Sequence, residues 1–219
     1  MHEDDIISVV WSPHATYNLR EHASYVIVGG FRGLGKSTTR WMVQRGAKNL
    51  ILLGRSGAKD KESLDFLDKL RESNVTVAAL PCDITSYETL TSVFEICAKT
   101  MPPVRGCIQG TMVLKDDLFE NMPVEAYHAT VQPKATGSWN LHLLPGTLDF
   151  FILLSSGSGI TGTRGLSNYA SGNTYQDALA CYRVSRGQKA TALDLGLVLG
   201  IGFAAESRES LVSVTKLGF

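Results

Sequence analysis

The sequence has little of what would point to nucleic acid, membrane or export. Its 21 basic and 21 acidic residues balance, so no positive excess indicates binding to nucleic acid. The most apolar stretches, 148–154 and 193–205, contain Asp149 and Asp194 and are too short to span a bilayer. The acidic start, Met1 to Asp5, lacks the basic residues of a secretory signal. We therefore expect a cytoplasmic protein that binds neither nucleic acid nor membrane.

Cysteine is also scarce. The four cysteines, Cys82, Cys97, Cys107 and Cys181, are scattered and form no CxxC pair, and no histidine lies at metal-binding spacing. This arrangement favours reduced thiols over disulfides or a zinc site, and we predict no metal centre. The remaining composition, 44% apolar and 19% charged in 219 residues, is typical of one globular domain with a sizeable core.

Strand-like and helix-like segments alternate along most of the chain. Short apolar runs that stop at glycine or polar residues predict strands at 25–28, 49–53, 75–80, 105–109, 149–154 and 190–195. Apolar residues at helical spacing predict helices at 33–46, 61–73, 87–99, 124–144, 168–186 and 206–216. Pro133 predicts a kink or a break in the fourth helix. The polar, irregular residues 1–22 predict an N-terminal linker or the remnant of a preceding region. The alternation indicates an α/β fold, a Rossmann-type doubly wound parallel sheet with helices on both faces.

A glycine-rich turn follows the first predicted strand and opens the first helix. It consists of Gly29, Gly30, Phe31, Arg32, Gly33, Leu34 and Gly35. Glycines at such a turn let the backbone approach a pyrophosphate, and the helix N-terminus offers unpaired N–H groups. We interpret all seven residues as a dinucleotide-binding loop. Gly30 to Ser37 also meets the spacing of a nucleoside-triphosphate phosphate loop; we rank this alternative lower because no acidic strand end for Mg²⁺ stands out.

The residues after the second and third strands bear on the choice of cofactor. NAD sites usually place an acid after the second strand, whereas NADP sites place an arginine there for the 2′-phosphate. This chain has Arg55 and Ser56 at that point, with Arg32 as a second cationic candidate, so NADPH is favoured. After the third strand come Asp83 and Ile84. Asp83 fits two roles equally well, binding an adenine amino group or capping a following turn.

Polar side chains that suit carbonyl reduction follow the fifth strand and open the next helix. Ser155 and Ser156 end the strand, and Tyr169 and Asn173 lie four residues apart, which places them on one helix face. Reducing a carbonyl requires a hydrogen-bond donor to its oxygen, an acid that supplies a proton, and a cation near that acid. Taken alone, a tyrosine such as Tyr169 is more often a half-buried packing residue than a catalyst.

The chain resembles a short-chain dehydrogenase/reductase, and within that superfamily the ketoreductase domain of fungal reducing polyketide synthases. The matching segments cover most of residues 25–203 in the expected order. They are VGGFRGLGKSTTRWMVQRGAKNLILLGRSG, PCDIT, PPVRGCIQGTMVLKDDLFENM, QPKATGSWNLH, DFFILLSSGSGITGTRGLSNYASGNTYQDALA and ALDLGLVLGIGF. Phe31 and Arg32 depart from the pattern, since these ketoreductases usually have another glycine there.

The resemblance implies a catalytic set. In the wider superfamily a lysine follows the tyrosine by four residues, but here that position is Asn173. In the ketoreductase branch the two roles are exchanged, and Lys134 occupies the motif position of the lysine. Family spacing selects Ser156 over its neighbours. The implied roles are Tyr169 as proton donor, Ser156 as hydrogen-bond donor to the oxyanion, Lys134 as the charge that lowers the tyrosine pKa, and Asn173 as the residue that orients the set.

The resemblance also implies an activity. It is NADPH-dependent reduction of a β-ketoacyl thioester, carried on an acyl carrier protein beside other polyketide synthase domains, to the β-hydroxyacyl thioester. Residues 23–219 would form the NADP-binding catalytic domain. The family normally continues into another helix and a last strand, so we expect a sheet that lacks its last strand. That expectation leaves one alternative open, a non-catalytic Rossmann scaffold that binds NADPH without turnover.

Overall fold

The computed structural model describes residues 17–196 and residue 198. Its strands are β1 (Ser24–Val28), β2 (Asn49–Gly54), β3 (Thr76–Pro81), β4 (Val104–Gln109), β5 (Phe150–Ser156) and β6 (Thr191–Leu195). Its helices are α1 (Gly33–Gln44), α2 (Lys61–Glu72), α3 (Tyr87–Ala98), α4 (Val124–Lys134), α5 (Thr136–Leu143), α6 (Ser158–Thr161) and α7 (Ser167–Ser185). The strands form one parallel sheet in the order β3-β2-β1-β4-β5-β6. The predicted Rossmann-type sheet is confirmed.

Successive side chains of a strand point to opposite faces of the sheet, and both faces of this sheet are buried. On one face, Val26 of β1 packs in a core cluster with Leu90 of α3. On the other face, Ile27 packs in a second cluster with Met42 of α1 and Phe66 of α2. Helices therefore cover both faces of the sheet, as the sequence pattern predicts.

The strand order reverses between β1 and β4. In an open parallel sheet, this reversal separates the loops that leave the two strands and opens a crevice at their carboxyl ends. The glycine-rich turn leaves β1 at this edge, Arg55 follows β2, and Ser156 ends β5. The fold therefore brings residues that are distant in sequence to one rim of the sheet.

The helix break predicted near Pro133 is present, and one short helix was not predicted. The predicted helix 124–144 is divided into α4 and α5 at Ala135, whose φ of −83° and ψ of −73° stay in the right-handed helical region. Pro133 lies in the last turn of α4, where its missing N–H and its ring disfavour a continuous helix. Helix α6 was not predicted, since four residues are too few to show periodicity.

The segment before β1 contributes to packing within the domain. Leu19 is buried and its N–H donates to the Arg45 carbonyl at 2.7 Å, while Asn49 Nδ2 donates to the Glu21 carbonyl at 2.8 Å. The sequence predicted a linker through residue 22, because a single buried leucine shows no periodicity. The predicted helix 206–216 and the expectation about a last strand lie outside the described residues. Within residues 17–196, no helix has the length and apolar character to cross a membrane.

Candidate active site

A cleft of about 860 Å³ opens at the carboxyl ends of the strands. Its walls come from the glycine-rich turn, from the loops after β2, β3 and β4, and from the facing ends of α4, β5 and α7. Among the predicted site residues, those that line it are Gly29, Phe31, Arg32, Gly33, Leu34, Gly35, Arg55, Ser56, Asp83, Ile84, Lys134, Ser156 and Tyr169. Gly30 and Asn173 do not. The fold thus gathers the predicted cofactor and catalytic residues around one space.

Two glycines allow the turn after β1 to fold tightly. Gly29 has φ +82°, and a Cβ there would lie 2.8 Å from the Gly110 carbonyl oxygen. A Cβ on Gly35 would overlap the Gly29 carbonyl oxygen. Gly30 has a different reason to be glycine, since a Cβ there would lie 3.0 Å from Leu52 Cδ2. Gly30 therefore serves packing between the turn and β2, and it is not a wall of the cleft.

The N-terminus of α1 has the properties of an anion site. Its N-cap residue, Arg32, makes no side-chain cap hydrogen bond, and the first turn contains no acidic residue. By contrast, the side chains of Asp60 and Ser86 cap α2 and α3. An uncapped helix start leaves N–H groups unpaired at the positive end of the helix dipole. Since Gly33 and Leu34 of this turn line the cleft, a phosphate group fits there.

The predicted cationic residues lie at the surface of the same end of the cleft. Arg32 is 81% exposed in its side chain and pairs with Asp60 at 3.7 Å. Arg55 and Ser56, directly after β2, are exposed. Phe31 is buried, and its ring packs against Gly54 at the end of β2. Arg55 and Ser56 thus occupy the position directly after β2 where NAD sites place an acidic residue.

In the loop after β3, Asp83 caps the turn that follows the strand, which is one of the two roles predicted for it. Ser86, rather than Asp83, is the N-cap of α3. Asp83 Oδ1 accepts hydrogen bonds from the backbone N–H of Thr85 at 2.9 Å and from its hydroxyl at 2.8 Å, which shapes a local turn. The neighbouring Ile84 is buried, and its carbonyl accepts from Asn140 Nδ2 at 2.9 Å. Asp83 is left exposed on the wall of the cleft.

The position of Lys36 is incompatible with the phosphate-loop alternative. That motif needs its lysine to reach a nucleotide phosphate. Here Lys36 Nζ lies 2.6 Å from Glu62 Oε1 on α2 and 5.7 Å from the centre of the Phe66 ring, and the side chain is 6% exposed. The residues that the structure describes also contain no group of three or more His, Cys, Asp or Glu arranged to hold a metal ion.

Lys134 and Tyr169 meet at the floor of the cleft. Lys134 Nζ lies 5.2 Å from the centre of the Tyr169 ring. The ammonium donates to the Leu154 carbonyl at 2.9 Å and to Gln176 Oε1 at 3.0 Å. Gly172 on α7 makes room for the lysine side chain, since a Cβ there would lie 3.1 Å from both Cβ and Cδ of Lys134. The lysine of α4 thus crosses α7 to reach the tyrosine.

Burial makes the charge of Lys134 costly. The residue is 2% exposed, and burial lowers the pKa of its ammonium from 10.5 to about 7, against an opposing influence from the carboxylate of Asp177. Desolvation disfavours the charged form of an amine. The ammonium therefore loses its proton near neutral pH.

The net pKa of the Tyr169 phenol is raised. Burial raises the pKa of the phenol above 10.0, and the carboxylate of Asp116 acts in the same sense. Hydrogen bonding to Asn173 and Ser156 lowers it in part. Burial thus outweighs these hydrogen bonds in the net shift, and the predicted lowering of this pKa by Lys134 stays a prediction. The phenol is consequently protonated at neutral pH, which is the state that a proton donor requires.

The side chains of Ser156 and Asn173 both contact Ser158 at the start of the short helix α6. Ser156 Oγ accepts from the Ser158 N–H at 3.3 Å and lies 3.1 Å from its hydroxyl. Asn173 is buried, and its Nδ2 donates to the Tyr169 carbonyl at 2.9 Å. Its Oδ1 is buried without a hydrogen-bond partner among the described residues. Asn173 thus contacts Tyr169 but does not line the cleft.

Comparison with known proteins agrees with this geometry. A family model described as the KR domain matches residues 23–200. The chain belongs to this family of ketoreductase domains. The match includes the glycine-rich turn and every predicted catalytic residue, and the KR domain is an oxidoreductase.

Curated relatives of this KR domain are fungal polyketide synthases. Highly reducing polyketide synthase 40 of Fusarium mangiferae is 51% identical over 218 residues, which cover 99% of this chain and 9% of the synthase. A highly reducing polyketide synthase of Aspergillus terreus is 46% identical over 209 residues, 93% of this chain and 8% of that protein. The chain therefore spans about a tenth of the length of these relatives.

Solved ketoreductases share the fold. The ketoreductase from the first module of phoslactomycin biosynthesis in Streptomyces sp. HK803 superposes with a TM-score of 0.82 at 30% identity, covering 89% of this chain and 45% of that one. An A1-type ketoreductase superposes with a TM-score of 0.86 at 27% identity, covering 94% of this chain and 44% of that one.

Three buried polar residues of the KR domain, joined to Lys134 by hydrogen bonds directly or through one another, were not predicted from the sequence. They are Gln109 at the end of β4, Ser138 on α5 and Gln176 on α7, each completely buried. One signal was available for Gln176, which lies seven residues after Tyr169 and three after Asn173 and so shares their helix face. Gln109 and Ser138 reach the site through tertiary packing alone.

Proposed function

We propose that this KR domain reduces a β-ketoacyl thioester to the β-hydroxyacyl thioester with NADPH. The substrate would arrive on the phosphopantetheine arm of an acyl carrier protein. The observation that carries the proposal is the meeting of Lys134, Tyr169 and Ser156 in one cleft with an uncapped, glycine-rich helix start. A phenol, a hydroxyl and an ammonium are the groups that carbonyl reduction needs.

The roles follow from the chemistry of each side chain. When bound, the nicotinamide supplies a hydride to the carbonyl carbon. The Ser156 hydroxyl donates a hydrogen bond to the carbonyl oxygen, which becomes more negative as the carbonyl is reduced. The protonated Tyr169 phenol transfers its proton to that oxygen, and the product is an alcohol. The Lys134 ammonium stabilises the phenolate that this transfer leaves behind, so its charged form is the active one.

The proposed cofactor is NADPH rather than NADH. The free N–H groups at the start of α1 would hold the pyrophosphate, and Arg55 with Arg32 would hold the 2′-phosphate. Support comes from the exposed guanidinium that follows β2 in place of an acid. Asp83, exposed on the cleft wall, would accept a hydrogen bond from the adenine amino group.

The proposed setting is a cytoplasmic polyketide synthase, in which other domains extend and modify the same chain. Support comes from the curated relatives, which are synthases about ten times longer than this chain. Cys82, Cys97 and Cys107 are free and buried, and burial raises the pKa of each thiol, so they are unreactive core residues. Such cysteines suit a reducing compartment.

Oxidation of NADPH in the presence of a β-ketoacyl thioester analogue tests the proposal. We expect turnover with the unmodified chain. Tyr169→Phe should lower kcat at least about 100-fold, because a positioned acid contributes on the order of 10²–10⁴, while NADPH binding, followed by nicotinamide fluorescence, is retained. Tyr175→Phe is a matched control, since Tyr175 lies on the same helix and packs against the core.

Two outcomes would argue against the proposal. Full activity of Tyr169→Phe would remove the tyrosine from the chemistry. Enhanced nicotinamide fluorescence without any consumption of NADPH, for every β-ketoacyl thioester tried, would favour the scaffold alternative.

A further inference from the structure

The Lys134 ammonium depends on two acceptors for its place in the protein. Its hydrogen bonds go to the Leu154 carbonyl at 2.9 Å and to Gln176 Oε1 at 3.0 Å, and Tyr169 presents its ring at 5.2 Å. The backbone carbonyl is fixed by β5. The remaining acceptor is a side chain with several rotatable bonds, so the position of the charge depends on what holds Gln176.

Hydrogen bonding fixes the orientation of the Gln176 amide. An ammonium only donates, so Gln176 must turn its oxygen toward Lys134. The nitrogen then faces away and donates to Ser138 Oγ at 3.1 Å. Gln176 and Ser138 are both completely buried, so water does not compete for these bonds.

Ser138 is in turn held by Gln109. Gln109 Nε2 donates to the Pro133 carbonyl at 2.8 Å and approaches Ser138 Oγ at 3.4 Å. Gln109 Oε1 accepts from the Thr111 N–H at 2.7 Å, which fixes the sense of this second amide. Thr111 lines the cleft. A continuous buried path of hydrogen bonds therefore runs from the loop after β4 to Lys134.

We propose that Gln176 is a positioning residue of the active site, which holds the Lys134 ammonium against the Tyr169 ring and is itself held by Ser138 and Gln109. The inference rests on the proposed function, in which the charged lysine stabilises the phenolate. A leucine at 176 would fill similar space, but it would leave the buried ammonium with one protein acceptor in place of two. Its charged form would then be less stable, because an acceptor that hydrogen-bonds the charged form favours it.

The test compares Gln176→Leu with Gln176→Glu in the full chain and measures the pKa of Lys134 itself. The ¹³Cε resonance of ¹³C-labelled lysine reports this pKa, and Lys134→Arg identifies the signal. The leucine variant should lower the pKa by about one unit, since a charge-assisted hydrogen bond is worth roughly one to two pKa units. The glutamate variant should raise it. The other ionisable groups near Lys134, Tyr169 and Asp177 on α7 and Asp194 beside Asp177, are unchanged in both variants.

Catalysis gives a second, independent readout. The alkaline limb of the kcat profile should move with the lysine pKa, to lower pH in Gln176→Leu and to higher pH in Gln176→Glu. Asn140→Leu is a matched control, because Asn140 is a buried amide on α5 whose hydrogen bonds go to the Ile84 and Thr85 carbonyls. The control should lower the unfolding temperature and leave the pKa of Lys134 in place.

Each outcome decides the inference. An unchanged lysine pKa in Gln176→Leu, with a loss of stability like that of Asn140→Leu, would show that Gln176 only fills the core. If the leucine variant does not fold, Gln176→Glu carries the test, and an unchanged pKa there would overturn the inference. Absence of ketone reduction by the unmodified chain would refute the proposed function, whereas the NMR shifts would still decide the role of Gln176.

Discussion

Replacement of Lys134 by methionine should change the pH dependence of folding stability. The ammonium is 2% exposed, and burial lowers its pKa from 10.5 to about 7. At pH values between about 7 and 10.5, the unfolded chain holds a proton on Lys134 that the folded chain has released. The contribution of Lys134 to the wild-type free energy of unfolding therefore rises with pH in this range. This contribution is absent below about pH 7, where both states hold the proton, and is complete near pH 10.5.

The magnitude follows from the width of that window. A lowering from 10.5 to about 7, at about 1.4 kcal/mol per unit, corresponds to roughly 4–5 kcal/mol. Lys134→Met has no group to titrate there. The stability of the variant relative to wild type should therefore fall by about 4 kcal/mol as pH rises from about 6 to about 10. Other titrating groups are common to both proteins and cancel in the difference.

Urea unfolding at a series of pH values measures this difference directly. Lys99→Met serves as the control for the loss of a lysine side chain, since Lys99 is exposed. A stability difference between Lys134→Met and wild type that stays constant from about pH 6 to about pH 10 would refute the reasoning, because it would mean that the lysine titrates alike in both states.

Three further predictions concern the cofactor and the packing around Lys134. Arg55→Ala should weaken NADPH binding about 10- to 100-fold in Kd, as expected for loss of a charge-assisted contact, and should leave NADH nearly unaffected; equal losses would remove Arg55 from the 2′-phosphate site. Lys36→Met should change the Kd for NADPH less than about twofold, because its ammonium is directed to Glu62 and Lys36 does not line the cleft. Gly172→Ala should lower kcat about tenfold with little change in NADPH affinity, since the new methyl group would displace the Lys134 side chain.

The fold was largely predictable because its determinants are local. Glycine at Gly29 and Gly35 and the apolar run from Tyr25 to Val28 reflect backbone and packing requirements within a short segment. The division of helix 124–144 at Ala135 was less predictable, since Pro133 indicates a kink or a break but not whether a helix continues beyond it.

The candidate site was predictable only in part. Tyr169 and Asn173 share a helix face by spacing alone. Lys134 lies on a different helix, and only the family resemblance pointed to it. Its contact with Gln176 and the direction of the Tyr169 pKa depend on how α4 packs against α7. Such packing places side chains from separate elements together, and no periodicity within one segment reports it.

Isotope transfer tests the central claim most directly. NADPH deuterated at both hydrogens of its reducing carbon would be incubated with the chain and a β-ketoacyl thioester, and the product examined by mass spectrometry. We predict a β-hydroxyacyl thioester with one deuterium on the β-carbon, formed by the unmodified chain and not by Tyr169→Phe. A product without the label, or no reduced product from the unmodified chain, would contradict the account.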